Sequence, residues 1–236
     1  MSTGGGGSDR RGVRAKVEAQ RAAARRAERR RRVLLAAGAV VIVGGIVAVI
    51  VVNFPSSSSS SGLGPEGIAL QSGQQLASVS SAASGQTVDG ISCDASEQVA
   101  YHIHSHLAVY VNGQQRSVPY GIGVVEPVPQ TVSGSTFVSA SQCYYWLHTH
   151  AQDGIIHVES PTQKQYTLGQ FFDIWKQPLS TGQVGPAGGH VTAYVNGKVF
   201  NGDPRTITLQ PHEDIQLDVG TPVVPPQSVD WSHSQL

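Results

Sequence analysis

The chain has 236 residues and 16 Lys+Arg against 16 Asp+Glu, but the zero balance hides a division: residues 1–32 hold 11 of the bases and three acids, leaving 5 bases and 13 acids for the rest. No base occurs between Arg32 and Arg116, which excludes nucleic acid as a partner of the C-terminal part, because phosphate binding needs clustered Lys and Arg. Two cysteines exclude a disulfide-dense miniprotein and a four-cysteine zinc module.

Residues 1–32 read as a basic cytoplasmic arm. From Val33 to Val52 the chain runs through 20 residues without a polar side chain, enough at about 1.5 Å per residue to cross a hydrocarbon core of roughly 30 Å. The run is longer than a signal-peptide core and no small-x-small cleavage site follows, so residues 33–54 are predicted to be an uncleaved transmembrane helix. Arg25, Arg26 and Arg29 to Arg32 precede it directly. Basic flanks stay in the cytoplasm, which places the C-terminal part outside the plasma membrane. The arm has Arg21, Arg25 and Arg29 at helical spacing, so it sets topology and has the pattern to lie on anionic lipid.

Residues 55–97, with serines at 56–61, read as a mostly irregular Ser/Gly-rich spacer. A mainly β module follows, antiparallel with one short helix. From Tyr101, the residues Tyr101, Ile103, Ser105, Leu107, Val109 and Val111 alternate with His102, His104, His106, Ala108 and Tyr110, and Asn112-Gly113 closes a hairpin. Tyr144 to His150 is extended, and a turn at Asp153-Gly154 returns the chain as a strand through His157 and Glu159. In the connection 161–185, Thr167 and Gln170 form a capping box before the apolar stripe Leu168, Phe171, Phe172 and Trp175. His106 to Gly113 matches His190 to Gly197 at an offset of 84, and His150 has a counterpart in His212. Residues 98–160 and 186–222 therefore read as two tandem β repeats, followed by a tail at 223–236.

The chemistry lies in the histidines. Side chains two apart on a strand share a face, so His102, His104 and His106 point one way, His148 and His150 form a second pair, and His157 with Glu159 a third. On strands about 5 Å apart these groups can converge on one centre. Imidazole is the commonest protein ligand for transition metals, and the cluster points to Cu(II) or Zn(II). Glu159 is expected to ligate directly or to orient a ligating ring. His104, His148 and His157 have no histidine counterpart in the second repeat. Replacing His148 or His157 is therefore expected to weaken metal binding and spare the metal-free fold, whereas His190 and His212 should matter for the core. Cys93 and Cys143, both outside the cell in this topology, are expected to form a disulfide. The rival is Cys143 as a copper ligand, because Cys143, His148 and Gln152 have cupredoxin-like spacing. No Gly-x-Ser-x-Gly elbow and no phosphate-binding glycine loop occur.

Tyr145-Trp146-Leu147-His148-Thr149-His150, followed by Asp153-Gly154, resembles the W-x-H-x-H…DG segment of multicopper oxidases, and His104-Ser105-His106 resembles their other HxH. The resemblance implies copper at these histidines; the HCH segment that completes the oxidase site is lacking. Over residues 89–222 the chain is similar to a group of membrane-anchored, His-rich bacterial envelope proteins of uncharacterised activity, through the segments around Cys93, Tyr101 to Gly113, Tyr145 to Pro161, Thr167 to Trp175 and Tyr194 to Arg205. Together these readings predict a single-pass, membrane-anchored metal-binding protein. The alternative is a non-enzymatic envelope interaction module whose histidines are structural, with its protein partner left open.

Overall fold

Alternation decides the central strand. In the computed structural model, which describes residues 62–236, Leu107 and Val109 are fully buried in the main core, and Tyr101, Ile103 and Val111 pack against it. The even-numbered residues from His102 to Tyr110 take the opposite face, as period two requires. The basic arm, the apolar run at 33–52 and the serines at 56–61 lie outside the described residues. Among the described residues no helix is long and apolar enough to cross a membrane.

The main sheet has eight strands: β1 (Gln74–Gln75), β2 (Tyr101–Val111), β3 (Gln114–Ser117), β4 (Leu147–His148), β5 (Ile155–Ser160), β6 (Val191–Val195), β7 (Lys198–Phe200) and β8 (Glu213–Val219). Their order is β1-β3-β2-β8-β6-β7, with β5 paired to both β2 and β4. Strand β2 is long enough to change partner along one edge. Its first half, Tyr101 to His106, pairs with β5, and its end, Val109 to Val111, pairs with β3. Small sheets at Cys93–Asp94 with Cys143–Tyr145 and Val124–Val125, and at Pro129–Val132 with Ser135–Val138, lie beside it in the chain order.

A wholly antiparallel module was the expectation, and the sheet is mixed. Strands β2 and β8 run parallel, from Ser105 opposite Glu213 to Val111 opposite Val219, and β1 runs parallel to β3. Parallel neighbours need a long crossover. Residues 112–212 supply it for β2 and β8, and short-range pattern does not reveal such a pairing. Both predicted Asn-Gly turns form, with positive φ at Asn112 and Gly113 and again at Asn196 and Gly197. The matched stretches thus make equivalent hairpins, β2–β3 and β6–β7, but within one sheet with β8 between them.

Helix α1 (Leu168–Trp175) has the capping box read from Thr167 and Gln170, and stops at Lys176 in the left-handed conformation, two residues before Pro178. Its Leu168, Phe171, Phe172, Ile174 and Trp175 are completely buried. Such aromatic burial contributes about 2–3 kcal/mol per large side chain. The stretch read as spacer behaves differently from Gly62 onward: its backbone is mostly irregular, yet Ile68, Leu76 and Ile91 are buried. Widely spaced single apolar residues carry no periodic signal, so sequence reading underrates such a segment. The tail also packs, since Gln227 and Val229 donate backbone hydrogen bonds to Gln216 and Asp214 on β8.

Candidate metal centre

Three adjacent strands bring the histidines together. On β5, His157 lies opposite His104 of β2 on one side and His148 of β4 on the other, and Glu159 lies opposite His102. The intervening Ile156 and Val158 face the core, so the pleat itself turns His157 and Glu159 to the other side. His150 follows two residues after His148, its ring centroid 4.5 Å from that of His157. The Asp153-Gly154 turn returns the chain here: Asp153 Oδ1 accepts from the Ile155 amide. Gly154 has φ +85° and sits so close to β2 that a Cβ there would meet the Leu107 carbonyl at 2.5 Å.

His104, His148, His150, His157 and Glu159 are all buried, whereas the His102 side chain is 39% exposed. Each of three rings is oriented through one nitrogen. His148 Nδ1 contacts the Tyr145 carbonyl at 2.8 Å, His150 Nδ1 contacts the Val138 carbonyl, and His157 Nε2 contacts Glu66 Oε1 at 2.7 Å. A partner of this kind on the outer nitrogen is what metal-ligating imidazoles use. The inner nitrogens then converge. His148 Nε2 and His150 Nε2 are 3.0 Å apart, close to the ~3.3 Å between two ligands of a tetrahedral ion at about 2 Å. Glu159 Oε1 lies 3.1 Å from His102 Nε2, 3.3 Å from His157 Nδ1 and 3.9 Å from His148 Nε2.

The ligand atoms fall into two sets that could hold a metal ion, His148, His150, His157 and Glu159, and His102, His104, His157 and Glu159, each within a 4.8 Å span. His104 Nε2, His157 Nδ1 and Glu159 Oε2 are buried there without a hydrogen-bond partner. Leaving such atoms unsatisfied costs about 1–3 kcal/mol each. Glu66 Oε2 and Asp153 Oδ2 are also unpartnered among fixed donors, but burial and the adjacent Glu66 carboxylate push the Asp153 carboxyl well above its usual range. It keeps a proton that Glu66 can accept. Of the three remaining atoms, His104 Nε2 and Glu159 Oε2 have lone pairs free to ligate, and His157 Nδ1 becomes a ligand once a metal ion displaces its proton.

Electrostatics prepare the same atoms. Burial, reinforced by neighbouring imidazoles, lowers His104 to about 3 and His150 to about 4, and holds His148 well below its ordinary value. These rings are neutral and able to ligate at physiological pH. Burial would also lower His157, but Glu66 and Glu159 override it and raise the ring to about 10. Burial likewise opposes ionisation of both acids, yet His157 brings Glu66 down to about 2, and His102 and His157 hold Glu159 far below the carboxylate range.

These shifts set the pH response of the metal-free fold. Between about pH 4 and 6.5 the unfolded chain binds protons at His104, His106, His148 and His150 that the fold refuses, so stability falls as pH drops. From 6.5 towards about 10 the fold keeps the His157 proton that the unfolded chain loses, so stability falls as pH rises. Thermal unfolding after chelation should give a maximum near pH 6.5. A melting temperature still climbing at about pH 9 would show that His157 is neutral in the fold.

Other sequence candidates lie elsewhere. His106 belongs to neither set; its Nε2 is 3.5 Å from Gln71 Nε2. Cys143 is bonded to Cys93, with Cα atoms 5.4 Å apart, and Gln152 hydrogen-bonds the Gln71 carbonyl. The cupredoxin alternative is thereby corrected, since its sulfur ligand is consumed. His190 and His212, expected in the core, are both exposed, and His212 stacks on Trp231 at 4.5 Å. Sequence reading passed over Glu66, which reaches His157, and Glu97, whose Oε1 is 3.4 Å from His150 Nε2. One signal was present: Glu66 is the single charged residue between Arg32 and Asp89. No family model, no curated protein and no solved structure matches the chain.

Proposed function

We propose that the module binds a transition metal ion, Cu(II) or Zn(II), through His148, His150, His157 and Glu159, and that residues 33–54 anchor it to the plasma membrane with the module outside. The observation that carries metal binding is the convergence of one ligand atom each from the buried His148, His150, His157 and Glu159 within 4.8 Å of one another, while a second nitrogen of each of the three rings is already fixed by a carbonyl or carboxylate. The donor set has imidazole and carboxylate but no thiolate or thioether, which suits these ions and not Cu(I). The anchor rests on the uninterrupted apolar run and on the arginines before it. The arm that carries those arginines would meet anionic lipid on the inner leaflet.

The test is a competition titration of the full chain, purified in detergent without a histidine tag and stripped with chelator. Zn(II) and Cu(II) should each bind, and His148→Ala should weaken the affinity at least tenfold, about 1.4 kcal/mol. A chain with His148 and His150 both changed to Ala that binds as the parent does would remove the metal reading and leave these histidines as structural groups.

A further inference from the structure

The two ligand sets share His157 and Glu159 but reach in opposite directions across the sheet, and this suggests more than a single ion. His148 and His150 stand on the β4 side of β5, and His102 and His104 on the β2 side. Neighbouring strands are about 4.8 Å apart, so centres in the two gaps beside β5 would lie about one strand spacing apart, and a small inward shift of each toward Glu159 brings them to the ~3.5–4 Å of two-metal sites. One ion between β4 and β5 could use the inner nitrogens of His148, His150 and His157. It would leave His104 Nε2 and Glu159 Oε2 buried and unpartnered, and His102 Nε2 with Glu159 Oε1 as its polar partner. Glu159 reaches both sides through one oxygen, Oε1 being within 4 Å of His148, His157 and His102, and its Oε2 has no partner and is left to take a second ion.

We infer that the site is a two-metal centre: a buried divalent ion on His148, His150 and His157, a second on His102 and His104, and the Glu159 carboxylate bridging them. This rests on the metal-binding reading above and extends it. The two positions differ in access. The first is enclosed by buried side chains, and the second has the exposed His102 as its outer ligand, so an open coordination position would lie on that side. Open positions distinguish reactive sites from closed structural ones.

The experiment uses the full chain in detergent, without a tag, stripped and reloaded with Cu(II), then washed by dialysis. Bound copper is counted by mass spectrometry and examined by electron paramagnetic resonance. The parent should hold two Cu(II) per chain, with much less signal than two isolated spins because carboxylate-bridged ions couple. His102→Ala with His104→Gln should hold one Cu(II) and give the full signal of one isolated ion. The single change His102→Ala, at an exposed side chain, provides the same loss of the second ion should the double variant fold poorly, with circular dichroism as the check. One Cu(II) in both parent and variant overturns the second position and leaves the metal-binding reading intact. Two ions retained in the variant, or two uncoupled ions in the parent, overturn the bridged pair. No copper in the parent overturns the bridged pair, and it removes the metal-binding reading as well when Zn(II) also fails to bind.

Discussion

Replacing His157 by alanine is expected to destabilise the metal-free fold by about 3–5 kcal/mol, the usual cost of breaking a buried ion pair by removing one partner. From sequence the same change was expected to spare the metal-free fold, on the view that a residue kept for metal contributes little without it. The structure reverses that. His157 is flanked by Glu66 at 2.7 Å and Glu159 at 3.3 Å, and all three side chains are at most 5% exposed. Without the imidazolium, two carboxylates and the Asp153 carboxyl share one small buried volume, and the carboxylates must take up protons or stay unpaired. Glu66→Gln combined with His157→Ala removes one of the orphaned charges and should cost less than the two single changes added together. The measurement is urea unfolding of the chelated chain near pH 6.5. A His157→Ala chain within about 0.5 kcal/mol of the parent would mean that His157 and Glu66 are not charged partners in the fold, and would restore the sequence expectation.

What the sequence shows and hides about this site follows from the range of each interaction. His102, His104, His148, His150, His157 and Glu159 are legible because strand pleating is local: residues two apart share a face whatever the rest of the chain does. The turn at Asp153-Gly154 is legible for the same reason, and so is the capping box of α1. That β5 lies between β2 and β4, with His157 opposite both His104 and His148, is a register, and register depends on contacts distant in sequence. Glu66 shows the limit. It reaches His157 across 91 positions from a segment without periodicity, and only its isolation as a charge marks it. His190 and His212 fail differently: the stretch after His190 does form a hairpin like β2–β3, but both histidines fall just before a strand begins, and burial there depends on what covers it. The polar face of β2 and β5 is covered by Glu66 and its neighbours, whereas His190 and His212 stand beside the strands, exposed.

Removing the Cys93–Cys143 bond by changing both residues to Ser is expected to lower the stability of the module by about 4 kcal/mol. The bond closes a separation of 50 residues, and the chain-entropy estimate for a loop of that length gives this value. The loss should be local as well as global. Cys93 pairs with Tyr145 across the Cys93–Asp94 and Cys143–Tyr145 strands, and Asp94 accepts a 2.7 Å hydrogen bond from the Trp146 indole. Four residues beyond Cys93, Glu97 reaches His150. Without the bond, the loop bearing Glu97 is free to leave His150. By contrast, His104, His148, His157 and Glu159 are held by the β2–β5–β4 ladder and should stay in place once the chain is folded. Peptide mapping of the purified chain without reductant should find the two cysteines joined, and the Ser/Ser chain should unfold at lower urea with metal affinity changed far less than by His148→Ala. Two free thiols with a blue colour on adding Cu(II) would sink the disulfide and return Cys143 to the copper. An unchanged unfolding midpoint would show instead that the strand pairing around Tyr145, and not the covalent link, carries the stability of this edge.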